Sequence, residues 1–191
     1  RGQVTVSYLP LRYHGHLLPE IKRIKISSKW RCRLAHGGLP FTVIRWVNRH
    51  VQTKKCFLMF VPHVADLTPV AYALKKIIPK TAFTTVYAAD DERVAKVQRM
   101  REGQYQFLIT TTILERGVTF PAIDVCVIGA DDEVFSSSAL VQIAGRMGRS
   151  ADCPDGQVIF FIGSNTMVVN SAVRQIKYLN RLGRKLQCRN V

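Results

Sequence analysis

From residue 54 onward, short apolar runs alternate with stretches of helical periodicity. "KCFLMFVP" (55–62) is almost wholly apolar, as a strand buried on both faces must be. "HVADLTPVAYALKKII" (63–78) then repeats its apolar positions at helical spacing and stops before Pro79. "TAFTTVYA" (81–88) reads as the next strand, and "DDERVAKVQRMREGQ" (90–104) as a helix with acids in its first turn and Gly103 near its end. "QFLITTT" (106–112), "IDVCVIGA" (123–130) and "QVIFFIG" (157–163) complete the strands, with a helix over 137–148 between the last two. Repeated β-α units with apolar strands predict an α/β fold, a parallel sheet covered by helices on both faces.

The first fifty residues follow this pattern less closely. "QVTVSYLP" (3–10) and "KRIKI" (22–26) read as extended segments, "YLPLRYHGHLLPE" (8–20) as a loop with two prolines, and "FTVIRWVNRHVQ" (41–52) as the helix that opens the α/β unit. At the other end Val173, Ile176, Leu179, Leu182 and Leu186 fall at helical spacing, predicting one packed face and one face of arginines. The expected division is a linker and N-terminal extension over 1–39, packing on an α/β domain over 40–191 that ends in a basic helix. No uninterrupted apolar run approaches the ~18 residues of a membrane span. The chain opens on Arg1 rather than methionine, which points to a piece of a longer protein.

Charge adds a partner class. The formal net charge is +15, and from Arg1 to Lys55 a dozen Lys and Arg face one acid, Glu20. The stretch 171–191 adds six basic residues and no acid. Such an excess at both ends favours a phosphate backbone, whose binding is driven largely by counterion release, over a merely solubilising role or an acidic partner domain. Five scattered cysteines form no CxxC pair, so neither a disulfide framework nor a zinc site is announced. His14, His16, Cys32 and His36 lie in a loose basic stretch and read as structural or solvated rather than as ligands.

Two stretches carry chemistry. In "LVQIAGRMGRS" (140–150), a helix would set Gln142, Arg146 and Arg149 on one face, with Gly145 and Gly148 clearing space beside them. Each glycine costs a helix about 1 kcal/mol relative to alanine, so something else must favour it. Two guanidinium forks beside an open backbone suit a polyanion such as a triphosphate, whereas the plainer reading is an arginine-bearing surface helix. In "ITTTILERGVTFPAIDVCVI" (109–128), the polar residues fall beyond the carboxyl end of a strand, where ligands sit in open α/β sheets. Thr110, Thr111 and Thr112 offer hydroxyls and amides to a phosphodiester, or serve simply as β-formers. Gly117, after Arg116, permits a tight turn or a close backbone approach.

"TTTILERGVTFP", followed by "QIAGRMGR", resembles motifs V and VI of the superfamily 2 helicases, which belong to the second of their two RecA-like lobes. "CFLMFVP" stands where motif IV would be, and the wording is most similar to the late-competence DNA-uptake ATPases, with the primosomal replication-restart helicases next. The resemblance covers about 54–163. It implies that Arg149 is an arginine finger on the γ-phosphate of ATP, Arg146 its companion, and Gln142 a contact to that phosphate or to water. It further implies nucleotide contacts from Arg116, Gly117, Gly145 and Thr119, the last standing where many relatives carry an aspartate near the ribose. Thr110, Thr111, Pro62, Thr85 and Val86 would hold the nucleic-acid backbone.

No G-x-x-x-x-G-K-[ST] loop occurs, and "GADDEV" (129–134) reads as a connecting loop rather than a magnesium site. ATP and Mg²⁺ would therefore be held mainly by a first RecA-like lobe outside this chain. The implied function is the second motor lobe of an ATP-dependent single-stranded DNA translocase or helicase driving DNA uptake. The whole protein would be a DNA-dependent ATPase, and this piece alone inactive. Expected partners are single-stranded DNA, the first lobe, other competence proteins and a membrane DNA channel, reached from the cytoplasmic face. The alternatives are a non-enzymatic module binding nucleic acid or a partner protein, and a replication-restart helicase lobe.

Overall fold

The computed structural model describes residues 16–111, 120, 123–145 and 156–188. The chain runs β1 (Ile21–Lys25), α1 (Trp30–Ala35), α2 (Phe41–Gln52), β2 (Phe57–Phe60), α3 (Val64–Ile77), β3 (Phe83–Val86), α4 (Arg93–Arg101), β4 (Phe107–Thr110), β5 (Asp124–Ile128), α5 (Ser137–Ala144), β6 (Val158–Ile162) and α6 (Met167–Gln187). All described strand pairs are parallel, in the order β1-β6-β5-β2-β4-β3. The chain builds β2, β3 and β4 on one side, then crosses β2 to lay down β5 and β6. At such a reversal the loops beyond the strand ends diverge and leave a crevice.

Alternation along each strand divides the core into two layers. Phe57, Met59, Phe107, Ile109, Cys126, Ile128 and Phe161 face α1, α2 and α3. Leu58, Phe60, Leu108, Val125, Val127, Val158 and Phe160 face α4, α5 and α6. Burial on both faces explains why β2, β4, β5 and β6 read as unbroken apolar runs.

Residues 21–39 lie within this architecture. β1 is an edge strand in register with β6, Ile21 opposite Val158 and Lys25 opposite Ile162, and α1 buries Trp30 and Leu34 in the core. The segment 3–10 is outside the described residues. Two expectations change in detail. Helix α4 starts at Arg93, with no acid in its first turn: Asp90 instead accepts the Glu92 amide at 3.0 Å and the Lys96 ammonium at 2.8 Å, closing the turn ahead of the helix. On α6 the buried seam runs through Val169, Ala172, Val173, Ile176, Leu179, Asn180 and Gly183, while Leu186 is exposed. The seam drifts because Asn180 turns inward to grip the segment before β1, accepting the Leu18 amide at 2.8 Å and donating to its carbonyl at 2.9 Å.

At the amino end of the sheet a buried pair locks α2 to β5. His50 Nε2 lies 2.8 Å from Asp124 Oδ2 and its Nδ1 2.9 Å from the Trp46 carbonyl, while Asp124 Oδ1 accepts the Gln157 amide at 2.7 Å. Both ring nitrogens and both carboxyl oxygens of the pair are thus within hydrogen-bond distance of a partner. The ring also packs against Trp46 and Phe57. Among the described residues no helix is long and apolar enough to cross a membrane.

Candidate nucleic-acid and nucleotide site at the carboxyl rim

The carboxyl ends of β2, β4 and β3 stand side by side. Phe60, Thr110 and Val86 occupy one row of the register, Phe60 against Thr110 and Thr110 against Val86, and the Val61 amide donates to the Thr110 carbonyl at 2.8 Å. Pro62, Val86, Thr110 and Thr111 are thereby brought together from three separate stretches of sequence, with Thr85 one residue back along β3, opposite Ile109. Thr110 is buried and its hydroxyl donates to the Thr111 carbonyl at 3.2 Å. Thr111 is 3% exposed, and its Oγ1 has no hydrogen-bond partner among the described residues. A buried hydroxyl without a partner costs roughly 1–3 kcal/mol, which an apolar residue of the same shape would avoid.

One step further along the rim, α5 begins with its Ser136 cap, whose hydroxyl accepts the Ala139 amide at 3.1 Å. Leu140, Ile143 and Ala144 are buried, which turns Gln142 outward to solvent. Gly145 caps the helix at φ −67°, a conformation open to any residue, and a Cβ there would meet only the Val141 and Gln142 carbonyls at 3.4 and 3.5 Å. Neither backbone strain nor a tight neighbour among the described residues requires glycine at 145. Arg146, Gly148 and Arg149 on the continuation of this segment, and Thr112, Arg116, Gly117 and Thr119 after β4, lie outside the described residues.

The loop after β5 is held by charges that sequence reasoning did not assign. Arg31 of α1 grips Asp66 through two bonds, Nε to Oδ1 at 3.1 Å and Nη2 to Oδ2 at 3.0 Å, and reaches Asp132 Oδ2 at 3.0 Å. Asp66 also accepts the His63 amide at 3.2 Å, and His63 Nε2 lies 3.4 Å from Asp132 Oδ1. The hydrogen bonds that Arg31 donates to Asp66 hold its guanidinium above its ordinary pKa against the opposing effect of burial. Burial alone would raise Asp132, but the Val134 amide, Arg31 and His63 together hold it below the usual carboxylate value. Asp131 accepts the Gly163 amide at 3.0 Å, the Ser164 amide at 2.9 Å and the Ser164 hydroxyl at 3.2 Å. Both acids of "GADDEV" that come near a cation or a donor are thus engaged within the protein. Gly129 enters this loop at φ 65°, where a Cβ would stand 3.1 Å from the Trp30 ring, so glycine is required there on both counts. The only sequence trace of the Arg31 clamp is the i, i+4 pair Trp30 and Leu34, which marks a short helix.

Comparison with known proteins agrees with this architecture. The helicase conserved C-terminal domain model matches residues 40–151. The competence protein ComFA of Bacillus subtilis is 41% identical over 98% of this chain and 40% of its own length, and ComFA of Streptococcus pneumoniae is 33% identical over 94% of the chain and 41% of its own. The chain therefore spans about two fifths of the length of these relatives. Among solved structures, the C-terminal domain of the DEAD-box protein Dbp5 superposes with a TM-score of 0.56 at 20% identity, over 84% of this chain and 86% of that one. Domain 2 of the DEAD-box helicase Mss116p, solved bound to an RNA duplex, superposes with a TM-score of 0.55 at 20% identity, over 73% and 53%. With its parallel sheet, its crossover at β2 and its family match over more than half its length, this chain belongs to the helicase conserved C-terminal domain family and has its RecA-like fold.

Proposed function

We propose that this lobe is the second half of an ATP-dependent motor that moves along single-stranded DNA during its uptake in competence. The observation that carries the reading is the carboxyl rim: three strand ends in one register row, with a buried Thr111 hydroxyl that finds no partner within the described fold. Ligands of open parallel sheets sit at such strand ends, where Pro62, Thr85, Val86, Thr110 and Thr111 supply main-chain and hydroxyl groups that suit a backbone rather than bases. Likeness to two ComFA proteins supports the uptake role.

Gln142, with Arg146 and Arg149 following it in sequence, serves ATP held by the partner lobe, and the motif resemblance assigns Arg116, Gly117, Thr119 and Gly145 to the same nucleotide. The arginines stabilise charge spreading over the γ-phosphoryl oxygens, and Gln142 orients that phosphate or the attacking water. Magnesium does not fit the described residues, because Asp66 and Asp132 are gripped by Arg31 and Asp131 by the Gly163–Ser164 backbone. The metal with ATP falls to the first lobe. Closure of the lobes brings the arginines to the nucleotide, and reopening after hydrolysis shifts the grip of this rim on DNA relative to that of the partner lobe.

The test is DNA-stimulated ATP turnover by the full-length protein carrying Arg149→Ala. A loss of about 10³-fold or more is expected, the scale of an arginine finger. Unchanged turnover overturns the role given to Arg149, and absence of any DNA-stimulated turnover in the unmodified protein favours a non-enzymatic binding module.

A further inference from the structure

The opposite edge of the same carboxyl rim carries an arrangement that the motor reading leaves unused. Arg23 of β1 donates through Nη1 to Asn170 Oδ1 at 2.7 Å and to Asn165 Oδ1 at 3.4 Å. Arg174, one turn along α6, donates through Nε to the carbonyl of the same Asn170 at 3.4 Å. Two arginines thus bond one neutral residue, Arg23 its side-chain amide and Arg174 its main-chain carbonyl. Amide oxygens orient a guanidinium without neutralising it, so both charges remain, and neither arginine has a carboxylate partner among the described ion pairs. Both arginines are exposed, and an anion that approaches either meets a cation not already neutralised by a described carboxylate.

Each arginine lines a space of its own on this edge. A cavity of about 250 Å³ opens between the ends of β1 and β6, lined by Arg23, Lys25, Ile162, Ser164 and Asn165. A wider groove of about 630 Å³ begins at Arg174 and runs along the start of α6 past Ser171 to Tyr178. Lys177, Arg181, Arg184 and Lys185 continue the exposed cationic stripe down α6. The acid nearest this cavity, Asp131, is occupied by the Gly163 and Ser164 amides, and Glu20 lies at the far end of the stripe, 3.9 Å from Arg184.

We infer that Arg23, Arg174 and Lys25 form a second phosphate-binding station for the nucleic-acid backbone, separate from the strand ends of β2, β4 and β3. The inference rests on the proposed reading of the lobe as a nucleic-acid motor. In the order β1-β6-β5-β2-β4, β1 stands four strand spacings from β4, about 19 Å at ~4.8 Å each. A strand gripped at Thr111 reaches Arg23 only if it crosses the rim past β5 and β6. Short oligonucleotides engage one station, and long ones engage both.

The experiment measures binding of oligothymidylates of about 4 and about 16 nucleotides to the full-length protein, across a salt series. Arg23→Gln with Arg174→Gln is expected to weaken the long oligonucleotide about tenfold and to lower its salt slope by about 1. Affinity for the short one, and maximal DNA-stimulated ATP turnover, stay at the wild-type level. Lys55→Gln with Lys80→Gln removes the same formal charge from the amino rim and is expected to leave long-strand binding near wild type. Wild-type affinity of the arginine double variant for the long strand, or equal weakening by the lysine pair, overturns the second station while DNA-stimulated turnover still upholds the motor. Absence of both DNA binding and DNA stimulation in the unmodified protein overturns the motor reading and the station with it.

Discussion

The two ends of the sheet are built on opposite terms. At the amino end His50 and Asp124 are buried, and both ring nitrogens and both carboxylate oxygens find partners. At the carboxyl end Thr111 is equally buried but its hydroxyl has no partner among the described residues, and two arginines bond a single asparagine. Closed polar networks rigidify a fold, whereas unmet donors and unneutralised charges reduce its stability unless something binds. The contrast is not complete, since the Trp46 indole N–H beside His50 is also buried without a partner among the described residues; on the proposed function, the carboxyl end is where the lobe meets its ligand.

The largest expected effect breaks the closed end. His50→Ala leaves the Asp124 carboxylate buried without its ring partner and should destabilise the lobe by about 3–5 kcal/mol, read by chemical denaturation. A loss below about 1 kcal/mol would show that the pair is not what fastens α2 to β5. Arg31→Ala comes next. The guanidinium is 41% exposed, so solvent screening reduces the effect to about 1 kcal/mol, again by denaturation. A larger sign of the same clamp is its pH dependence. Asp132 is held below the ordinary 3.8, so its contribution to stability is complete above that value and is lost as pH falls through the lower folded value. Asp132→Asn should flatten the stability profile across that acid range while leaving its shape near neutral pH unchanged. An unaltered acid limb would mean that other carboxylates carry it.

Most of the sheet was legible because strands buried on both faces must be apolar throughout. "CFLMF", "DVCVI" and "VIFFI" admit little else. β1 was harder, since an edge strand carrying Lys22, Arg23 and Lys25 reads like a solvated segment; such charges at an edge guard against pairing with other chains. The His50–Asp124 pair spans 74 positions and the Arg31–Asp132 contact joins α1 to the loop after β5, so neither leaves a local signature. The motif residues were legible as types at a spacing. Their meeting in one row depends on strand order, because β4 inserts between β2 and β3 only in three dimensions. Asn180 shows the same limit from the other side: a polar residue within the α6 seam, explained only by the backbone of Leu18.

The smallest expected change in stability is also the most direct test that the carboxyl rim serves a ligand. Thr111→Val keeps shape and β-branching and removes only the hydroxyl. In the full-length protein it should leave the midpoint of unfolding unchanged or slightly raised, while weakening single-stranded DNA about fivefold, the scale of one hydrogen bond. Unaltered DNA affinity, or a clear loss of stability, would contradict the account: the first shows that the hydroxyl makes no bond to DNA, the second that its partner lies inside the protein.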